Sequence, residues 1–396
     1  MTSPATVSAR SGADEPPVPA PGELLRRLRS RGATDPVTHV ERVPAAAGET
    51  APWPQWTPEA LRAAFAGRGL VAPWRHQVEA AELAYAGRHV VVATGTGSGK
   101  SLAYQLPALA TLLADPRATV LYLAPTKALA ADQLRSLTGL GLDGIRPASY
   151  DGDTPREERE WIRRHSRFVL TNPDMLHHGI LPGHPVWAPF LRRLAFVVVD
   201  ECHTYRGVFG SHVAQVLRRL RRLAHRYGAT RAASPDGPVF VLASATSGDP
   251  ATAAGHLTGL PVEAVTRDTS PRGGVTFALW EPPLLPPASD APPESTPVRR
   301  SALRETADLL ADTVAAGVRT LAFVRSRRGA EVVASGARRS LDEAVPGLGD
   351  RVAAYRAGYL REDRRALERA LLDGELLGLA STNALELGVD LVGLDA

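Results

Sequence analysis

Five short, unbroken apolar runs recur along the chain: Val90–Ala93, Thr119–Leu123, Phe168–Leu170, Phe196–Val199 and Val239–Ala243. Helical patterns separate most of them. A strand that is apolar on both faces must be covered on both, and its alternation with helices indicates an α/β fold around a parallel sheet. In such sheets the functional groups gather beyond the carboxyl ends of the strands. Each run is indeed followed at once by polar or special residues. These are the segment from Thr94 to Ser101, then Thr126-Lys127, Thr171-Asn172-Pro173-Asp174, Asp200-Glu201-Cys202-His203 and Ser244-Ala245-Thr246.

The first of these tails, Thr94-Gly95-Thr96-Gly97-Ser98-Gly99-Lys100-Ser101, leads into a helix expected from Leu102 to Leu113. That layout suits a phosphate cradle. Glycines let backbone N–H groups converge on an anion, the helix N-terminus adds its positive end, and Lys100 reaches the β- and γ-phosphates. Ser101 offers a hydroxyl to Mg²⁺. The strict pattern places glycine where this chain has Thr94, and a flexible turn holding a chance lysine is the plain alternative.

Four apolar residues lead into Asp200-Glu201, about 100 residues after the cradle. Asp200 is expected to hold Mg²⁺ through its water shell and Glu201 to orient and deprotonate an attacking water. An acidic pair alone is common in solvated turns; after a cradle in the same sheet it gains meaning. His203 is expected to link this site to the nucleic-acid side or to the Ser244-Ala245-Thr246 turn, with a structural histidine as the alternative. Cys202 reads as a small buried side chain. Upstream, Trp74 is placed to stack on adenine and Gln77 to read its N6/N7 edge, against the alternative of a core tryptophan.

A chain of 396 residues with 44% hydrophobic content is sized for two α/β domains and a tail. The net charge of +4 permits a polyanionic partner without requiring one. One cysteine excludes a disulfide framework or a cysteine-based zinc site within these residues. No signal peptide or membrane-spanning run is present in the sequence, so the expected location is cytoplasmic, with no membrane partner. The only lysines are Lys100 and Lys127, and both fall in strand-end tails. A chain so biased to arginine keeps lysine where a compact, flexible ammonium is required.

The expected organisation has three parts. Residues 1–56 form a disordered, Pro-rich segment with a short basic helix at Glu23–Arg31. Residues 57–270 form the first α/β domain, opened by Thr57 as N-cap and Pro58 at the first helical position. Residues 271–396 form a partial second α/β unit that starts with Val275–Trp280 and carries a Pro-rich loop at 282–297. In that unit helices are expected at Ser301–Ala316, from about Arg325 to Ser340, and at Arg361–Leu372. Strands are expected at Thr320–Val324, Val352–Tyr355 and Leu377–Ala380.

Taken in order, the Gln77 region, TGTGSGKS, APTKALAADQ, TNPDML, DECH, SAT, FVRSRRGAE and TNALELGVD resemble superfamily-two DEAD/DEAH-box-type helicases. The resemblance is collinear, runs from about Trp56 to Ala396, and implies two RecA-like domains. Within that superfamily the stretches HVVVATGTGSGKSLAYQLP, YDGDTPREER, DECHTYRGVFGSHVAQVLRRLRR and ASTNALELGVDL are most similar to the MrfA/YprA group. The resemblance implies an ATP- and Mg²⁺-dependent motor moving on single-stranded or forked DNA, in repair. It matches Ser244 and Thr246 to the turn coupling hydrolysis to movement. Thr126, Lys127, Asn172 and Thr382 match positions near the nucleic-acid backbone, where contacts hold register without reading sequence. Gly388 and Asp390 match the motif that faces the nucleotide.

The family's next motif, an arginine-rich stretch, would fall after Ala396, as would the cysteines of its zinc-binding domain. An arginine finger supplies roughly 10³–10⁵ in rate, so the expectation is a chain that binds ATP and hydrolyses it weakly. Two alternatives stand beside the DNA motor: an RNA helicase, and a non-catalytic, ATP-gated nucleic-acid clamp.

Overall fold

The computed structural model describes residues 18–30, 35–229, 234, 237–285, 298–382 and 393–396. Their strands are β1 (Val37–Val43), β2 (Val90–Ala93), β3 (Thr119–Leu123), β4 (Pro147–Ser149), β5 (Phe168–Thr171) and β6 (Leu194–Val199). After these come β7 (Val239–Ser244), β8 (Glu263–Val265), β9 (Val275–Trp280), β10 (Thr320–Phe323), β11 (Val352–Tyr355) and β12 (Gly378–Ser381). The chain forms two compact units, one from Ala46 to Arg272 and the other from Gly273 onward together with the described residues up to Ala45.

The first unit is a seven-stranded sheet in the order β4-β5-β3-β6-β7-β2-β8, with every pair of neighbours parallel. The five apolar runs are its interior strands, buried along their whole length. Their two faces feed separate cores. Phe196 and Val198 join Tyr122, Val92 and the helix Ser101–Ala114 on one side. Val197 and Val199 join Leu121, Leu123 and the helix Gly207–Arg226 on the other. This parity decides where the residue after β6 points, because side chains two apart share a face.

The edge strands β4 and β8 are not among the expected runs. Each is three residues long and only partly buried, so neither carries an unbroken apolar signature. Thr57 is a second difference. The helix Glu59–Ala66 begins after Pro58, and the Thr57 hydroxyl is buried without a hydrogen-bond partner among the described residues rather than capping the helix. Thr57 N–H donates to the Pro54 carbonyl, which fixes the residue in the preceding turn.

In the second unit, β10, β12 and β11 form a parallel sheet with β12 in the middle. The helices Ala302–Ala315 and Arg327–Ala344 cover one face and meet closely, since a Cβ on Gly336 would lie 3.0 Å from the Ala307 Cβ. Leu371, from the helix Arg361–Leu372, packs with Tyr355 and Leu379 on the other face. The segment Val275–Trp280 does not start this sheet. It pairs antiparallel with β1 as a two-stranded ribbon, so a strand arises within the Pro/Ala-rich stretch that shows no element by sequence alone. Alternation in β1 is weak, with only Val37, Val40 and Val43 half-buried. Trp280 Nε1 donates to Glu305 Oε1 at 3.0 Å, and Arg300 pairs with both Glu305 and Asp308, whose carboxylates are buried. The basic helix expected near Glu23 is observed at Pro21–Arg29.

No helix among the described residues is long and apolar enough to cross a membrane. Most of the loop expected at 282–297 lies outside the described residues. Phe196 is fully buried between β3 and β7. Phe196→Ala is expected to cost about 3–5 kcal/mol by leaving a cavity that the sheet cannot close; a denaturant titration of the purified chain checks this.

Candidate nucleotide site

The loop after β2 has the conformation that its glycines allow. Gly97 and Gly99 sit at φ of 78° and 75°, where a side chain would be strained, and a Cβ on Gly99 would lie 2.5 Å from Gln77 Nε2. Thr94 explains its own departure from the strict pattern. Its backbone is not in the left-handed region, so glycine is not required there, and its hydroxyl is 2.7 Å from Ser98 Oγ across the loop. Lys100 Nζ donates to the Gly95 carbonyl at 2.8 Å and the Thr94 carbonyl at 3.2 Å, which folds the lysine back over the loop. Burial lowers its pKa, while Glu201, Asp200 and Asp268 pull the other way.

The loop is also held from outside. Gln77 Nε2 donates to the Gly99 carbonyl at 2.9 Å, and Gln77 Oε1 accepts from Trp74 N–H at 2.7 Å. Both ends of that amide are therefore engaged with protein, and the Trp74 ring lies against Gly48. His76 Nδ1 accepts from Thr269 N–H at 3.2 Å, which leaves Nε2 to carry the proton and donate to the Ser98 carbonyl at 3.2 Å. Burial keeps His76 neutral by lowering its pKa. Asp268 Oδ2 accepts from Gly95 N–H at 3.0 Å. Although burial opposes it, hydrogen bonds from Ser270 and Gly95 hold the Asp268 pKa down. The family motifs assign no role to His76 or Asp268.

Asp200 continues the Phe196/Val198 face of β6 and so points towards the helix that follows the loop. Its Oδ1 accepts from Glu201 N–H at 2.9 Å, and its Oδ2 accepts from the hydroxyls of Tyr104, at 3.2 Å, and Tyr122. Ser101 lies one turn before Tyr104 on the same helix. Gln133 Nε2 donates to Ser101 Oγ at 3.2 Å. Lys100, Ser101, Asp200 and Glu201 therefore converge at the carboxyl ends of β2 and β6. Glu201 has φ of 47°, one of two non-glycine residues described in the left-handed region. Such strain persists only where the surroundings enforce it, and it collects at functional sites. Burial raises the pKa of Glu201, the charge of Asp200 adds to that, and Lys100 opposes it.

The remaining strand ends line the same edge. Thr126 caps the helix Lys127–Thr138 by accepting from Leu129 N–H, and Lys127 Nζ pairs with Asp153 at 2.6 Å. Asn172 caps the next turn by accepting from Met175 N–H at 2.8 Å. His203 Nδ1 is 3.2 Å from Ala245 N–H and 3.3 Å from Glu201 Oε2, so it touches both the acidic pair and the Ser244-Ala245-Thr246 turn. As an acceptor from Ala245 N–H, Nδ1 carries no proton to donate to Glu201. Cys202 is half-buried, with its thiol pushed up to about 12 by desolvation, which leaves it inert as a nucleophile. Thr382 ends β12 of the second unit, where the Ser381 hydroxyl donates to its carbonyl. Gly388 and Asp390 lie outside the described residues.

Burial raises the Asp200 pKa above 3.8. The folded chain thus holds that proton more firmly than the unfolded one, so an ionised Asp200 costs stability as pH rises from 3.8 through its folded value. Asp200→Asn removes the charge and keeps an acceptor oxygen. Its midpoint of thermal unfolding near pH 8 is expected to rise by about 2–4 °C, the shift for roughly 1 kcal/mol in a unit of this size. The gain should shrink as pH falls towards 3.8, and scanning calorimetry at several pH values reads it.

Comparison with known proteins agrees with this geometry. Residues 74–253 match the DEAD/DEAH box helicase family model. The chain is 40% identical to the uncharacterized ATP-dependent helicase YprA of Bacillus subtilis over 87% of its own length and 44% of that protein. It is 41% identical to the ATP-dependent helicase HRQ1 of Saccharomyces cerevisiae over 82% of its length and 30% of that protein. The crystal structure of the DUF1998 helicase MrfA bound to DNA superimposes with a TM-score of 0.83 at 37% identity, covering 95% of this chain and 51% of MrfA. The chain therefore spans about half or less of these relatives. Residues 74–253 thus form a DEAD/DEAH box helicase domain, and the chain is similar over most of its length to parts of YprA, HRQ1 and MrfA.

Proposed function

We propose that this chain is the ATP-driven motor of a DNA helicase that couples hydrolysis to movement on single-stranded or forked DNA, in repair. The observation that carries the reading is the convergence of Lys100, Ser101, Asp200 and Glu201 beyond β2 and β6, with the Tyr104 hydroxyl bonded to Asp200. Support comes also from the MrfA structure described as bound to DNA and AMPPNP, which covers 95% of this chain at 37% identity.

The triphosphate is gripped by the N–H groups of the loop from Thr94 to Ser101 and by the Lys100 ammonium. The donor set fits Mg²⁺, since Ser101 Oγ and the Asp200 carboxylate are hard oxygens, and Asp200 Oδ1, which among the described residues accepts only the Glu201 N–H, keeps a lone pair open. When bound, Mg²⁺ offsets the charge that develops on the phosphate oxygens. Glu201 takes the proton of the attacking water, and its raised pKa makes it a better acceptor. Lys100 holds its position through the Gly95 and Thr94 carbonyls, so little reorganisation is needed when the phosphate arrives. Reading of an adenine edge by Gln77, with Trp74 stacked on the ring, requires the bonds of Gln77 to Gly99 and Trp74 to open first.

Thr126, Lys127 and Asn172 hold the nucleic-acid backbone, with Lys127 exchanging Asp153 for a phosphate, and Thr382 supplies a backbone contact in the second unit. Ser244 and Thr246 couple the nucleotide to strand movement, and His203 connects their turn to Glu201.

Lys100→Ala should abolish binding of a fluorescent ATP analogue. Glu201→Gln should keep that binding and lower turnover by about 10²–10⁴, the usual worth of a positioned base. In the parent chain, turnover should fall on the acid side as Glu201 protonates, at a higher pH than an ordinary glutamate would require. Single-stranded DNA should stimulate turnover more than RNA of the same sequence. Stronger stimulation by RNA would make the chain an RNA motor, and ATP-dependent strand binding without turnover would make it a clamp.

A further inference from the structure

Two tyrosine hydroxyls lie in the apolar layer between the sheet and the helix Ser101–Ala114. Tyr122 stands on β3, an otherwise aliphatic and fully buried strand apart from Thr119, and Tyr104 stands three residues after Ser101, one helical turn along. Both rings are buried, and both hydroxyls end on one oxygen of one carboxylate, Asp200 Oδ2.

The direction of each hydrogen bond follows from counting donors and acceptors. An ionised carboxylate only accepts, so each tyrosine donates its proton to Asp200. Each tyrosine has then used its only proton. Gln133 Nε2 donates to Ser101 Oγ at 3.2 Å, with Gln133 Oε1 fixed by Gln105 Nε2 at 3.0 Å, so a lone pair on Ser101 remains open. Among the described residues Asp200 Oδ1 accepts only the Glu201 N–H, so it too keeps an open lone pair.

We propose that Tyr104 and Tyr122 are positioning residues that pre-set the Asp200 carboxylate, with its Oδ1 left open, as an acceptor for the divalent cation of the nucleotide. This rests on the reading of the site as an Mg²⁺–triphosphate site. Tyrosines that only packed the layer would be replaceable by phenylalanine without effect on the cation, since the ring supplies the packing. Residues that orient the ligands of a metal typically control about 10–100-fold of its affinity.

The test uses the full chain with Tyr104→Phe and Tyr122→Phe made separately. A fluorescent non-hydrolysable ATP analogue is titrated at rising Mg²⁺ and, in parallel, in EDTA. The expected result is a half-saturating Mg²⁺ concentration raised by about 10–100-fold in each variant, with binding in EDTA unchanged. Unchanged Mg²⁺ dependence in both variants, with the parent chain binding normally, overturns the inference and leaves the nucleotide reading intact. A parent chain that binds no nucleotide overturns that reading and the inference with it. Far-ultraviolet circular dichroism monitors folding, and one folded variant suffices to decide. Loss of fold in both overturns the inference as well, because positioning residues are dispensable for folding.

Discussion

The buried carboxylate of Asp200 is the constraint around which the first unit is arranged. It is only 8% exposed, at the end of a strand whose other side chains are apolar. An isolated charge in such a place is expensive unless hydrogen bonds and a counter-charge meet it. Two tyrosine hydroxyls, the Glu201 N–H and the nearby Lys100 ammonium do so. Those partners come from β3, from the turn after β6 and from the helix behind the phosphate loop. The sheet order that sets β3 beside β6, and the helix lying over that face, are thus tied to one functional group.

A loop rich in glycine would be a poor cradle if left loose. Here it is braced at several points by side chains remote in sequence. Gln77 and His76 hold Ser98 and Gly99 from the helix Arg75–Tyr85, while Asp268 holds Gly95 from the segment after β8. Thr269 N–H fixes the His76 tautomer, so the segment 268–270 acts on the loop both directly and through the imidazole. The cost of ordering the loop is met when the chain folds, which is the condition for electrostatic groups to act without rearrangement.

Much of the first unit was legible in the sequence because its central strands are covered on both faces. A short apolar run with no polar interruption, closed by a turn and followed by a helix, fits little else than a strand of this kind. Val90–Ala93 and Thr119–Leu123 have the bounds that the runs themselves mark. Edge strands were not legible, since Pro147–Ser149 and Glu263–Val265 have one flank without a described neighbour and no compositional signature. The ribbon of Val37–Val43 with Val275–Trp280 was hidden for another reason. Pairing is a tertiary event, and neither strand shows its partner locally. At the site, loop and acidic pair were plain from residue type and spacing. The side chains that brace them were not. A tyrosine in TVLYL carries only the faint signal of a hydroxyl in a strand that should be wholly apolar, and Asp268 sits in a stretch that reads as a break.

That ribbon has a consequence for how the chain comes to be folded. More than two hundred residues separate Val43 from Val275, its partner in register. During synthesis, Val37–Val43 leaves the ribosome early and must wait, with an unsatisfied backbone edge, while the whole sheet of the first unit is made. Closing so long a loop adds little entropy beyond that of a shorter one, because the cost grows only as the logarithm of length. The delay is therefore kinetic. A deletion or insertion near Val37 would strike the second unit, made later, and spare the one that follows Val43 directly in sequence.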